Sequence, residues 1–407
     1  MASRTGADEG RSPNDKLDIG IIGVNNRARA NIAGVKGENI VALCDIDDEF
    51  LAQAATEFPQ AKTYNDFRKL IDENRLDAVV VSTPDHIHVP ASVHAMKSGM
   101  DVYCEKPLSH SVHEARVSAQ TAHEHKRVTQ LGTQIHAGAN YRRCVELIQS
   151  GAIGPVREAH AWVGKTWGGG ERPADTPAVP EHLHFDLWLG PAAERPYHPT
   201  YLPKNWRRWW DFGGGTLGDM GCHYLDLVFW ALKLRHPTAV EAQGPPIHPE
   251  TAPNGSAAHW DFPARGDMPA AHLSWWDGGS RPPHFARGEL PSWGDGILFV
   301  GDRGKLLCSY GAYRLLPEKE FADFQPPEPW IPNSIGHYKE WIQACKTRGE
   351  TTCNFDYSGA LTETVLLGNV AFRTGHRLEW DAANLRVTNC SQAQTLIRRE
   401  YREGWTL

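Results

Sequence analysis

Between residues 17 and 132, short apolar runs alternate with helical stretches, and this alternation narrows the possible folds more than any other feature of the chain. The runs at 17–24, 40–44, 63–64, 78–82, 101–104 and 128–132 read as strands. The stretches between them, 27–36, 49–58, 66–74, 90–98 and 111–125, read as helices. Parallel strands need a crossover, and a helix between successive strands supplies one, so the pattern predicts a doubly wound parallel sheet of the Rossmann type. Ligands of such sheets bind at the carboxyl ends of the strands. Two runs end there in reactive side chains: 78–82 leads into Thr83-Pro84-Asp85-His86, and 101–104 into Glu105-Lys106-Pro107. A lysine just past a buried strand cannot stay in the core, so Lys106 is expected to lean into the cleft above the sheet.

The pattern then changes. A helix at 141–150 and a turn at 151–155 precede longer strand-like runs at 156–163, 239–243, 271–276, 297–300 and 305–309, which predict an antiparallel sheet with long insertions. Helices are expected at 334–347 and 357–374, and the Gly- and Pro-rich stretches 164–180 and 244–290 read as loops. The expected division is a disordered leader over 1–16, a dinucleotide-binding domain over 17–138, and a C-terminal α/β domain over 139–407 whose late helices return to the first domain.

With 407 residues the chain can build two cores. Its net charge of −7 argues against a nucleic-acid or anionic-membrane partner. No window approaches the roughly 18 apolar residues of a membrane span. The eight cysteines show no CxxC or metal-finger spacing, and reduced, buried thiols are expected. A cytoplasmic location follows, with export after removal of a leader as the alternative.

The segment 19–30 has the position of a dinucleotide-binding turn, after a strand and opening a helix. In the register of G-x-G-x-x-G, Gly23 takes the first place, Asn25 the second and Ala28 the third. Asn25 crowds or hydrogen-bonds the phosphate, with Asn26 and Arg27 beside it. Asn tolerates positive φ better than most residues, so the turn can still form. Asp45 ends the second strand 22 residues later, where a carboxylate binds ribose hydroxyls and repels a 2′-phosphate. NAD is therefore expected rather than NADP.

Residues 219–223 follow Gly213-Gly214-Gly215 and open an apolar helix expected over 224–232, and Asp219 and His223, at i and i+4, lie on one helical face. His223 suits the role of general base, with Asp219 orienting it or binding substrate hydroxyls. His86, His88 and His136 are candidate metal ligands, but spacing fixes no third ligand and no metal is expected. Eleven of the fifteen Trp fall between 162 and 293. Most read as packing; a role in stacking against a sugar is expected for one or two among Trp206, Trp209 and Trp210.

Together, residues 19–28, Asp45, Thr83-Pro84-Asp85-His86-Ile87-His88, Glu105-Lys106-Pro107 and 219–223 resemble the Gfo/Idh/MocA oxidoreductases. The segment from Phe185 through Trp206-Arg207-Arg208-Trp209-Trp210 to His223 resembles a bacterial branch of that family. The resemblance implies a Rossmann domain followed by an open, mostly antiparallel sheet, a bound NAD, and a dimer or tetramer. It implies hydride transfer at a carbohydrate or cyclitol carbon, with Lys106 at the substrate hydroxyl, His223 near the reacting carbon, Asp219 assisting and Pro107 shaping the nicotinamide pocket. Thr83, Pro84, His88 and Glu105 fall on the cofactor side, and Tyr141, Trp206, Arg207 and Trp210 on the substrate side. Two other outcomes fit the same residues: glycoside cleavage by oxidation, elimination and re-reduction on a retained NAD, and a non-redox binding or metal-dependent relative with an altered cofactor loop.

Overall fold

The computed structural model describes residues 15–407, and the leader expected over 1–16 lies almost wholly outside the described residues. The first half alternates β1 (Asp18–Ile22), α1 (Arg27–Val35), β2 (Asn39–Cys44), α2 (Asp48–Glu57), β3 (Lys62–Tyr64), α3 (Phe67–Glu73), β4 (Ala78–Val81), α4 (Asp85–Lys97), β5 (Asp101–Cys104), α5 (Val112–Glu124) and β6 (Thr129–Leu131). All neighbours in this sheet pair parallel, in the order β3-β2-β1-β4-β5-β6. Chain direction diverges between β1 and β4, so a crevice opens above their carboxyl ends. The two central runs are buried on both faces, as a sheet covered by helices on each side requires. Local chemistry starts the helices. Asp47 accepts from the Glu49 and Phe50 N–H groups at α2, and Ser111 and Glu114 form a capping box at α5.

The second half contains α6 (Ala139–Gln149), β7 (Val156–Trp162), α7 (Phe185–Leu189), α8 (Gly215–Leu232), β8 (Ala239–Gln243), β9 (Ala257–Phe262), β10 (Ala271–Trp276), α9 (Pro283–Ala286), β11 (Gly296–Gly301), β12 (Gly304–Cys308), β13 (Tyr313–Leu316), α10 (His337–Thr347), α11 (Phe355–Thr374), β14 (Leu378–Asp381), β15 (Arg386–Val387) and α12 (Ser391–Ile397). Its nine strands run β13-β12-β11-β7-β10-β9-β8-β14-β15, antiparallel except where β7 meets β10. Alternate strand residues such as Ala159, Ala161, Trp260, Leu273 and Trp275 form one core with α6, α8 and α11.

Three expectations change. Besides the expected strand at 271–276, which is β10, the stretch 244–290 holds β9; Ala258, Trp260 and Phe262 alternate inward, a period-2 signal that the flanking glycines and prolines obscured. The helix carrying Asp219 and His223 begins at Gly215, so both residues lie inside it. The strands β13–β15 are four residues long or shorter, too short to stand out in the sequence. All eight cysteines are free thiols, seven of them buried.

The late helix α10 packs on α1, and its Trp341 is fully buried in the same core as Val80 and Tyr103 of the parallel sheet. Trp341→Ala is expected to cost about 3–5 kcal/mol, the usual loss for a truncated buried aromatic. Urea unfolding followed by circular dichroism checks this, and a loss under about 1 kcal/mol would show that α10 does not support the parallel sheet.

Candidate active site

The crevice above the parallel sheet is a cavity of about 1240 Å³ that runs from Gly23 and Asp45 to His223 and Tyr310. Its floor is made by the loops after β1, β2, β4 and β5, and its far wall by α8 and the segment before it.

At the β1–α1 turn, Gly23 has φ 85°, and a Cβ there would stand 2.6 Å from the Ser82 carbonyl oxygen. Glycine is required at this crossing of two strand ends. The second residue with positive φ is Asn26, at 52°, and not Asn25. Asn25 instead accepts a 2.7 Å hydrogen bond from the Asn26 N–H through its side-chain oxygen. Asp45 closes the other side. Its carboxylate accepts from the Val24 N–H at 2.9 Å and the Asp47 N–H at 3.1 Å. Burial pushes its pKa up to about 6 against those two bonds.

Glu105 is buried and accepts from Arg27 Nε, Asn31 Nδ2 and Gln134 Nε2 at 3.0–3.1 Å. It thereby fixes the start of α1 and the Arg27 side chain at the mouth of the turn. Thr83 and Pro84 line the cleft opposite Gly23, and Thr83 Oγ1 is buried without a partner among the described residues.

At the other end, Lys106 reaches across to α8. Its ammonium donates 2.6 Å to Asp219 Oδ1 and 2.9 Å to the Asp219 carbonyl. Arg207 Nε donates to the same carboxylate oxygen at 3.0 Å, and the guanidinium lies 4.3 Å over the Trp206 ring. Burial opposes ionisation of Asp219, but these two cations hold its carboxyl well below the usual range. One turn further along α8, His223 also lines the cleft. Burial, and then the Lys106 ammonium, push its pKa down to about 3, so the ring is a neutral base at physiological pH.

The structure therefore brings Lys106, Asp219, Arg207, His223 and Trp206 to one end of a single cleft, and Gly23, Asn25, Asn26, Arg27, Asp45, Thr83, Pro84 and Glu105 to the rest of it. It corrects several sequence expectations. The Asp219 carboxylate is held by Lys106 and Arg207; no hydrogen bond joins it to His223 among the described residues. Tyr141 is fully buried beneath α8, where its hydroxyl donates to the His223 carbonyl at 3.2 Å, so it does not face a substrate. Trp210 points out of the cleft and packs near Phe372 and Arg373. His88 is buried with its ring nitrogens 2.7 Å from the Pro107 carbonyl and 2.9 Å from that of Thr83; it ties the two strand-end loops together beneath the cleft. Pro107 is buried with it and does not line the cleft. Of the other histidines weighed as ligands, His86 sits between the Trp188 and Phe212 carbonyls, and His136 pairs with Asp226. His136, Asp226 and Cys353 do cluster, fully buried beneath the cleft.

Asp85 was missed as a site residue. It lines the cleft, buried at the first position of α4, and burial pushes its pKa well above the carboxylate range even though Arg207 and Lys106 pull it back. Its signal was the Thr-Pro-Asp sequence at a strand end. Lys165 after β7, Tyr224 in α8, Asp295 before β11 and Tyr310 after β12 also line the cleft, and none of them belongs to a motif read from the sequence.

These features fit a nicotinamide dinucleotide: a glycine-only crossing at the phosphate turn, an orphaned hydroxyl across from it, and a carboxylate at the ribose position. Fold and cleft together define a dinucleotide-binding oxidoreductase with a second α/β domain. The oxidoreductase family's NAD-binding Rossmann domain matches residues 17–133, and its C-terminal α/β domain matches residues 146–258, more than half of the chain together. The chain belongs to the Gfo/Idh/MocA oxidoreductase family.

Among curated relatives it is 31% identical to an inositol 2-dehydrogenase of Salmonella typhimurium over 147 residues, 35% of this chain and 43% of that protein. It is 27% identical to the 1,5-anhydro-D-fructose reductase of Ensifer adhaerens over 223 residues, 53% of this chain and 56% of that protein. The chain thus spans about half the length of the curated relatives it matches. Among solved structures it resembles the WlbA dehydrogenase of Bordetella pertussis in complex with NADH and UDP-GlcNAcA, at 17% identity and a TM-score of 0.66, covering 90% of this chain and 98% of that one. It also resembles GenD2 from gentamicin A biosynthesis in complex with NAD, at 19% identity and a TM-score of 0.64, covering 92% and 99%. At such identities these likenesses speak for the fold alone. No helix among the described residues is long and apolar enough to cross a membrane.

The Asp45 carboxylate titrates near pH 6, so its charge is present at pH 8 and lost at pH 5. NADP is therefore expected to bind at least about tenfold more weakly than NAD at pH 8, with the gap closing as the pH falls to 5. The 2′-phosphate itself titrates in this range, so the control is Asp45→Asn, whose NADP/NAD ratio of dissociation constants at pH 8 should approach one. Titration calorimetry measures the ratio, and an unaltered value in the variant would remove Asp45 from the ribose.

Proposed function

We propose that this chain is an NAD-dependent oxidoreductase that moves hydride between the nicotinamide and a hydroxyl-bearing carbon of a sugar or sugar derivative. The observation that carries this reading is the convergence of Lys106, Asp219, Arg207 and His223 in the same cleft as Gly23 and Asp45. Bound NAD supplies the two-electron acceptor. The rest of the work belongs to the side chains.

In the oxidative direction, the neutral His223 ring takes the hydroxyl proton while the hydride leaves the same carbon, and a carbonyl results. Lys106 stands beside it as a cation that hydrogen-bonds the substrate oxygen and stabilises negative charge as the proton departs. Asp219 keeps Lys106 in place and stays ionised, so it does not compete for the proton. Asp85, whose ionisation burial disfavours while Arg207 and Lys106 favour it, lies in the same cleft as a further polar contact for a substrate hydroxyl. Trp206, with Arg207 over its ring, provides a flat surface and a charged edge suited to a polyhydroxylated ring. The names of the curated relatives, inositol 2-dehydrogenase and 1,5-anhydro-D-fructose reductase, support a ring polyol or sugar as the substrate class. We also take residues 17–138 to carry the cofactor and 139–407 to supply the substrate wall, because β1–β6 all precede residue 132 and α8 carries His223.

The test is a panel of cyclitols, free sugars and glycosides followed at the NADH absorbance and by product chromatography. One member is expected to give stoichiometric NADH. His223→Ala and Lys106→Ala should each lower kcat by about 10²–10⁴. His223→Ala should keep a melting temperature and NAD affinity near wild type, whereas Lys106→Ala should also melt lower, because it takes one cation from the buried Asp219 carboxylate. Wild-type turnover in either variant would dismiss that residue, and glycoside cleavage without net NADH would replace the net reaction proposed here.

A further inference from the structure

A second cavity, of about 1280 Å³, lies behind the active-site wall. It is bounded by the start of α5, the C-terminal half of α11 and the segment 395–407, and it shares only Trp405 with the dinucleotide cleft. Its backing is the turn that opens α8. The Gly214 N–H donates to Asp85 on the active-site side, and the Gly214 carbonyl accepts from Asn369 at 2.8 Å on this side.

The cavity gathers cations. Arg373, Arg398 and Arg399 line it, with His110 and His113. Arg373 is largely enclosed, lies 5.1 Å over the Trp210 ring, and has no carboxylate in ion-pair reach among the described residues. Arg398 likewise has no such partner. Arg399 Nη1 donates to the Asp211 carbonyl at 3.0 Å, and its Nη2 lies 3.7 Å from an Asp211 carboxylate already held by Arg195. The nearest ring nitrogen of His110, Nε2, is 3.4 Å from Arg399. Arginine only donates, so Nε2 accepts and Nδ1 carries the hydrogen. That Nδ1 is buried with no partner among the described residues.

Three acids also line the cavity, and none pairs with Arg373 or Arg398 among the described residues. Glu114 is occupied by the His110 and Ser111 N–H groups and the Tyr401 hydroxyl, and burial raises its pKa to about 7. Asp211 is held by Arg195, and Glu400 is exposed at the rim. An enclosed guanidinium without a counter-ion is costly, and a fork of N–H groups matches phosphoryl or carboxylate oxygens. The volume is ample for a metabolite-sized ligand. We propose that this cavity is a second ligand site that binds a small organic polyanion, through phosphoryl or carboxylate groups held by Arg373, Arg398 and Arg399.

The experiment is isothermal titration of the NAD-saturated protein at low salt with pyrophosphate and, separately, citrate. Saturable binding of at least one probe, one per chain, is expected, and the preferred probe assigns phosphoryl or carboxylate chemistry. Arg373→Gln should weaken it at least tenfold, and Arg373→Lys by less, since charge remains while the fork is lost. Arg398→Gln, on the surface, should weaken it several-fold with unchanged melting temperature and NAD affinity, and it decides the matter if Arg373→Gln does not fold. The proposal falls if neither probe binds, if saturating NAD abolishes binding, or if Arg398→Gln and any folded Arg373 variant bind as wild type does.

Discussion

The Lys106–Asp219 ion pair joins the end of a strand in the parallel sheet to a helix that covers the second sheet, and the active cleft depends on it. Both side chains are about nine-tenths buried. A buried pair repays its desolvation only when the remaining donors and acceptors are satisfied. Here the ammonium also reaches the Asp219 carbonyl, and the carboxylate takes a second cation in Arg207. Two cations on one carboxylate leave a local surplus of positive charge. That surplus, added to burial, keeps His223 unprotonated. One contact thus holds the two halves in register and sets the protonation state of the base.

The position of α8 is set by close packing as much as by charge. A Cβ on Gly368 of α11 would stand 2.7 Å from Leu217, and one on Gly221 about 3.1 Å from Val365, so the two helices approach at a distance only hydrogen allows. Tyr141 then fixes the His223 main chain from below. His223 therefore projects from a rigid element, which suits a group that must meet a substrate hydroxyl at hydrogen-bond distance.

The parallel sheet was legible because its strands are continuous apolar runs separated by helical stretches, and burial on both faces of β4 and β5 is written directly into residues such as Val79, Val80 and Val102. Lys106, Asp45 and the Asp219–His223 spacing were legible for a similar reason: each charge sits next to an apolar element that fixes its exit. What was not legible depends on contacts distant in sequence. Whether Asp219 faces His223 or Lys106 is decided by a strand more than a hundred residues away. Trp206 and Trp210 are near neighbours in sequence, yet the first lines the cleft from within a 3-10 turn over Asn205–Arg208 and the second, beyond that turn, backs another cavity. Asp85 was hidden for a further reason: its significance lies in burial beside Arg207, which no local pattern announces.

The phosphate turn shows how a broken motif can retain its geometry. Read as a glycine pattern, the segment fails at Asn25, where close approach of the backbone is needed. The chain meets the conformational demand one residue later, with Asn26 at φ 52°, in a region that costs a non-glycine residue of order 1–3 kcal/mol. Part of that cost is offset locally, since the Asn25 side chain accepts the Asn26 N–H at 2.7 Å. Glu105 then secures Arg27 and the first turn of α1 from beneath. Two adjacent asparagines and a buried glutamate thus do what a second glycine does elsewhere. The consequence is chemical as well as geometric: the turn presents amide side chains where glycine would present bare backbone, and Asn26 and Arg27 stand at the cleft with polar groups that a glycine turn lacks. The departure from the motif lies in which atoms meet the phosphates, while Gly23 and Asp45 keep the places that the fold requires of them.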